Sequence, residues 1–227
     1  MLYIILGVIV LYCIIVIVSI FNSSETLQKL YAKYINIPNE KNWQGMNVAF
    51  NAKKYFDLDV KVAMRSGVMT DAYSIKGRMI IISEDVCYNN SIAAAAIVAH
   101  EVGHAVQHKR RSFLLGLTRF TTRFCDIFCR FVLPLALAGG ILRLANINVM
   151  VGDILLIIAL ALCGLNIIDN FLKIPLESQA SKIGFGYLKA EKIIAKKDYA
   201  KVKKLLSVAG KTYMAYWLKT LLPIRRK

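Results

Sequence analysis

With 57% apolar residues in a chain of 227 and a mean hydropathy of +0.50, the sequence is too hydrophobic for an ordinary soluble domain and reads as a membrane protein. Its formal charge of +16 raises nucleic acid as a partner, yet no basic patch with interleaved aromatics and no nucleic-acid module accompanies it. Nucleic acid is therefore set aside, and basic residues beside apolar spans are assigned to the cytoplasmic leaflet of a membrane. The 5 cysteines (Cys13, Cys87, Cys125, Cys129, Cys163) are odd in number and contain no C-x-x-C pair, which argues against a disulfide framework or a structural zinc knuckle. Reduced, packed thiols are expected, including Cys125 and Cys129, which share a helix face.

In chain order, residues 2–21 form an apolar run of twenty, enough for a helix of about 30 Å and hence for a bilayer core. It lacks the basic start and small-residue cleavage site of a signal peptide, so a retained N-terminal transmembrane anchor is expected. Residues 22–41 are polar, with Leu27, Leu30 and Tyr31 spaced as on an amphipathic helix at the membrane surface. A helix over 42–56 follows, then a strand over 58–63, a turn at Ser66-Gly67 and an isoleucine-rich strand over 79–83. This last strand either offers its open edge to an extended peptide or lies buried.

Residues 91–108, SIAAAAIVAHEVGHAVQH, predict one helix carrying His100, Glu101 and His104. Positions four apart on a helix differ by about 40° and stand about 6 Å apart along the axis, so two imidazoles at that spacing can reach one metal ion. Zinc accepts such nitrogens, and a glutamate beside the first histidine is placed to act as general base for a water molecule. A structural, hydrogen-bonded histidine is the competing explanation. Against it, all 3 histidines of the chain fall in this segment. His108, next to Lys109, Arg110 and Arg111, is expected behind the ligands or at the surface.

A second apolar region covers 127–144, with Arg130 and Arg143 near its ends, and a third span covers 149–168 after a turn at 145–148. Asp153 and Asp169 lie close to the expected interfaces, where solvated ends or polar contacts suffice. Residues 22–123 hold 14 Lys+Arg against 8 Asp+Glu, and residues 173–227 hold 14 against 3, while the hairpin turn has no basic residue. Both basic segments are thus expected on the cytoplasmic side.

Pro175 reads as the first turn of a further helix bearing Glu177 and, one turn on, Ser181. Glu177 is the candidate third metal ligand and Ser181 a hydrogen-bond partner for a ligand; a glutamate that merely stabilises its own helix N-terminus is the alternative. Residues 182–204 predict a basic helical pair joined near Lys197-Asp198, and 205–224 an interfacial helix.

Together MTDAYSIKGRMIIISEDVCYNNSIAAAAIVAHEVGHAVQH, IPLESQASKIGFGYL and AGKTYMAYWL resemble the YugP-like membrane zinc metallopeptidases, also called neutral zinc metallopeptidases. That resemblance implies His100, His104 and Glu177 as ligands of one zinc ion per chain and Glu101 as catalytic base. It also exposes a departure. Where the family tends to show T/S-D-H-Y-D-P, this chain has Thr70-Asp71-Ala72-Tyr73-Ser74.

The expected protein is mainly α with a small β element: an integral membrane zincin of gluzincin type. Residues 1–21 form the anchor, 22–123 the cytoplasmic zincin segment, 124–172 a transmembrane hairpin, and 173–227 a cytoplasmic or interfacial segment that supplies the third ligand. The expected activity is zinc-dependent endopeptidase action at the cell membrane with a cytoplasmic active site. Its partners would be the lipid bilayer and polypeptide substrates, membrane-associated or misfolded proteins among them; self-association or a protein partner stays open. Tyr73, Tyr187 and Tyr213 are candidate oxyanion donors. The alternative from another class is a non-catalytic membrane scaffold or regulatory protein retaining a vestigial metal site.

Overall fold

A computed structural model describes residues 26–67 and 70–217, with Gly7, Leu11 and Ile14 before them, and side chains through 208. The anchor expected over 2–21 lies outside the described residues apart from those three positions, and so does the end of the 205–224 segment. The protein is mainly helical with a small sheet. In chain order the elements are α1 (26–34), α2 (Gly45–Tyr55), β1 (Lys61–Arg65), β2 (Ala72–Ser74), β3 (Met79–Ser83), α3 (Glu84–Cys87), α4 (Ile92–Lys109), α5 (Phe113–Phe128), α6 (Val132–Leu144), α7 (Val149–Ala190) and α8 (Tyr199–Trp217). They fall into two compact units. One combines Glu25–Leu115 with Pro175–Lys211; the other contains Gly116–Ile174.

In the first unit α4 is the central element. Ser91 caps it, its Oγ accepting from the Ala94 amide at 3.1 Å, and the run Ala93–Ala96 is fully buried, which small side chains allow because neighbouring elements can then approach closely. Leu27, Leu30, Tyr31 and Tyr34 of α1 are buried in the same core. This corrects the membrane-surface expectation for that segment: its apolar face is satisfied by protein rather than lipid.

The sheet order is β1-β3-β2, with β1 and β3 parallel and β2 and β3 antiparallel. β3, rich in isoleucine, is therefore the middle strand and not an open edge, and Ile80–Ser83 are buried. The edge strands are β1 and the three-residue β2. Asp71, just before β2, ties it to β3: one carboxylate oxygen accepts from the Ser83 amide and the other from its hydroxyl, both at 2.8 Å. Burial pushes the Asp71 carboxyl up to about 6 against the opposing pull of those bonds.

The second unit contains two stretches long and apolar enough to cross a membrane, within Phe113–Leu144 and Val149–Ala190. The first contains the expected 127–144 region, and α5 before it carries further exposed apolar side chains such as Phe120. A 3-10 turn at Cys129–Phe131 separates α5 from α6; Pro134 has no N–H for the Arg130 carbonyl, so the ladder breaks there. Gly139 of α6 and Gly152 of α7 meet backbone to backbone; a Cβ on Gly139 would lie 2.8 Å from the Gly152 carbonyl oxygen. Arg143 pairs with Asp153, and Asp169 pairs with Lys173 while accepting from Thr121 and Thr122, so these charged groups beside the apolar core are partnered. Cys125, Cys129 and Cys163 are buried among apolar neighbours.

Pro175 does not start a helix. α7 runs unbroken through it for 42 residues, since the missing proline N–H forfeits a single bond within a helix held by packing on either side. α7 ends where Lys192 takes a left-handed conformation (φ 51°) and the Ile193 amide bonds back to the Leu188 carbonyl at 2.9 Å. The interruption between α7 and α8 covers 191–198 and closes with a 3-10 turn at Lys196–Asp198, so it includes the joint expected near Lys197-Asp198.

Candidate metal centre

The site lies within the first unit, where α4 crosses the Pro175–Ala190 part of α7. Both helices present small residues at the crossing. A Cβ on Gly103 would lie 2.8 Å from the Ala180 carbonyl carbon, and one on Gly184 would lie 2.7 Å from that of Ala99. Only glycine permits this approach, and it sets the two helices close enough for short side chains to meet across them.

Glu177 reaches across that contact. Its Oε2 lies 3.1 Å from His100 Nε2 and 3.3 Å from His104 Nε2, and the ligand atoms of the three residues all fall within 4.8 Å of one another. Donor atoms around a tetrahedral zinc at about 2.0–2.1 Å stand about 3.3 Å apart. The spacing thus fits a small ion with nitrogen and carboxylate ligands. The imidazole rings are nearly perpendicular, with centroids 4.9 Å apart, as two nitrogens converging from successive turns require. His100 is 1% exposed, while the side chains of His104 and Glu177 keep 16% and 13%, so the open side is at the latter pair.

The opposite ring nitrogens are occupied. His100 Nδ1 lies 3.1 Å from Ser181 Oγ, whose own hydrogen goes to the Leu206 carbonyl at 3.2 Å. Ser181 Oγ is thus the acceptor and His100 carries a proton on Nδ1, which turns Nε2 toward Glu177. His104 Nδ1 lies 3.0 Å from Gln107 Oε1.

Electrostatics within the metal-free cluster follow the same geometry. Burial opposes a charge on His104, but the Glu177 carboxylate outweighs it and holds the imidazole up at about 9. Burial likewise works against the Glu177 charge, and the two histidines overcome it to hold the carboxyl down at about 2. Without a cation the site is an ion pair, and a metal must displace one proton to enter.

Glu101 is 2% exposed, and its Oε1 has no hydrogen-bond partner among the described residues. An orphaned buried carboxylate oxygen costs about 1–3 kcal/mol. Its charge acts on His104, so it lies beside the donor cluster without belonging to it. The structure therefore brings together the four residues singled out in the sequence.

Of the three tyrosines, Tyr187 is buried and donates to the Val48 carbonyl at 3.0 Å or Asn51 Oδ1 at 2.8 Å, a packing role. Tyr73, on β2, pairs through its hydroxyl with His108 Nδ1 at 2.7 Å. The Tyr213 side chain is outside the described set. Gln107 escapes a reading of the sequence, although an amide in an otherwise apolar helix, seven residues after His100, was a usable signal.

Comparison with known proteins agrees with this chemistry. The profile of the family described as "Putative neutral zinc metallopeptidase" matches residues 8–226. The chain is 31% identical over 186 residues to the "Putative membrane protease YugP" of Bacillus subtilis (strain 168), covering 80% of this chain and 79% of that relative. No solved structure matches.

Proposed function

This chain belongs to the neutral zinc metallopeptidase family, and on that premise we propose that it is an integral membrane zinc endopeptidase of gluzincin type, with one zinc held by His100, His104 and Glu177. The observation that carries the proposal is the convergence of two Nε2 atoms and one carboxylate oxygen from α4 and α7, with the other ring nitrogens already engaged. Zinc at such a site acidifies a water molecule and polarises a peptide carbonyl.

The protein's own residues do the rest. Glu101, with its unpaired oxygen, takes the proton of the attacking water and returns it to the leaving amine nitrogen. The outer edge of β2, at Ala72-Tyr73-Ser74, takes the role first considered for β3: an extended substrate pairs with it through main-chain hydrogen bonds, which bind tightly without strong sequence selection. Tyr73, held by His108, supplies a hydroxyl beside that edge. The excess of Lys and Arg in 22–123 and 173–227 supports a cytoplasmic site, and the proposal includes residues 1–21 as an anchor and membrane-associated or misfolded polypeptides as substrates. A non-catalytic scaffold would need His100, His104 and Glu177 alone; the buried, unpaired Glu101 oxygen has no use in it.

Full-length protein in detergent micelles, stripped with a chelator, should lose cleavage of an unfolded membrane-protein substrate and regain it with about one equivalent of zinc. Because zinc must displace the proton held on His104 at about 9, its apparent affinity should strengthen about tenfold per pH unit from pH 7 toward 9. Cleavage indifferent to removal and return of zinc would rule the proposal out.

A further inference from the structure

Gln107 lies on α4 three residues after His104 and is 1% exposed. Its amide makes three contacts: Nε2 with the Leu176 carbonyl oxygen at 2.9 Å, Nε2 with Gln179 Oε1 at 2.9 Å, and Oε1 with His104 Nδ1 at 3.0 Å. The orientation of this amide follows from chemistry. A carbonyl oxygen only accepts, so the group facing Leu176 must be the NH2; turned over, the amide would set oxygen against oxygen in a buried place. With the NH2 committed to α7, Oε1 is the atom left for His104. An oxygen there requires a proton on His104 Nδ1, so the proton that a metal displaces is the one on Nε2, facing Glu177.

We propose that Gln107 is a positioning residue for the metal centre, selecting the Nε2-ligating form of His104 and clamping the backbone next to Glu177 in one set of hydrogen bonds. The inference rests on the zinc reading given above. Leu176 directly precedes Glu177, so the same side chain that orients the second ligand from α4 also holds the segment bearing the third ligand on α7. Ser181 does the first of these jobs for His100 but reaches on to α8 instead. His104 thus depends on a residue of its own helix, and Glu177 depends on that same residue.

The test uses full-length protein labelled with 15N-histidine in micelles, its zinc affinity measured by competition with a chromophoric chelator. In the wild-type protein with zinc, His104 should show a protonated Nδ1 and a metal-shifted Nε2. Gln107→Met keeps length and apolar packing but loses all three contacts. It should weaken zinc about 10–100-fold, the range for lost partners of ligands, and disturb the His104 resonances while leaving those of His100 in place. Gln107→Glu keeps an acceptor at Nδ1 and should keep the His104 pattern. Zinc uptake with His104 ligating through Nδ1, or a Gln107→Met protein with wild-type affinity and spectrum, would overturn this inference alone. A wild-type protein taking up no zinc would overturn it together with the zinc reading.

Discussion

Glu101→Gln is expected to lower peptide hydrolysis by about two to four orders of magnitude while the protein keeps its zinc. Glutamine has nearly the same shape, so the buried place that Glu101 fills stays filled, but a neutral amide cannot accept the proton of the attacking water. Glu101 is not one of the converging donors, which is why activity and metal content should separate. Removing its charge weakens the attraction for the His104 proton and for the zinc dication alike, so zinc should bind about as tightly as before. Turnover of a fluorogenic unfolded polypeptide, together with zinc content by mass spectrometry, checks both halves. Equal rates in the two proteins would remove Glu101 from the chemistry.

The second large effect belongs to a residue that carries no chemistry. In Gly184→Ala the added methyl would sit 2.7 Å from the Ala99 carbonyl carbon, nearly 1 Å inside normal contact, and backbone cannot rotate out of its way. α4 and α7 must separate, and with them the two halves of the ligand set. Overpacking of this kind costs about 1–3 kcal/mol, and a displacement of about 1 Å at a reacting centre costs about a hundredfold in rate. The variant should therefore melt earlier, bind zinc more weakly and lose about two orders of magnitude in turnover. Gly186→Ala is the control on the same helix: nothing lies within 4 Å of its Cβ, and it should be neutral or gain about 0.5–1 kcal/mol from helix propensity. A Gly184→Ala protein with wild-type zinc affinity would mean that the close crossing does not set the site.

What could be read from the letters was what depends on local geometry. The four-residue spacing of His100 and His104, and a glutamate and serine one turn apart at 177 and 181, are helical facts that do not depend on distant parts of the chain. What could not be read depends on tertiary partners. β3 looked like a possible edge because β2, its antiparallel neighbour, is three residues long and carries little strand signal of its own. Pro175 looked like a helix start because a lone sequence does not reveal that packing on both sides carries α7 through it. α1 looked like a lipid-facing amphipathic helix because burial against protein and burial against membrane leave the same apolar spacing. The glycines at 103 and 184 acquire their meaning only once Ala180 and Ala99 are seen opposite them.

The central claim is that one zinc ion is held jointly by two residues of α4 and one of α7. X-ray absorption at the zinc edge, on full-length protein loaded with one equivalent, reads this directly. The account predicts a four-coordinate first shell of nitrogen and oxygen at about 2.0–2.1 Å, with two imidazoles by multiple scattering, and loss of one oxygen neighbour or of the metal itself in Glu177→Ala. A shell containing sulfur, or an unchanged spectrum at unchanged affinity in Glu177→Ala, would contradict it.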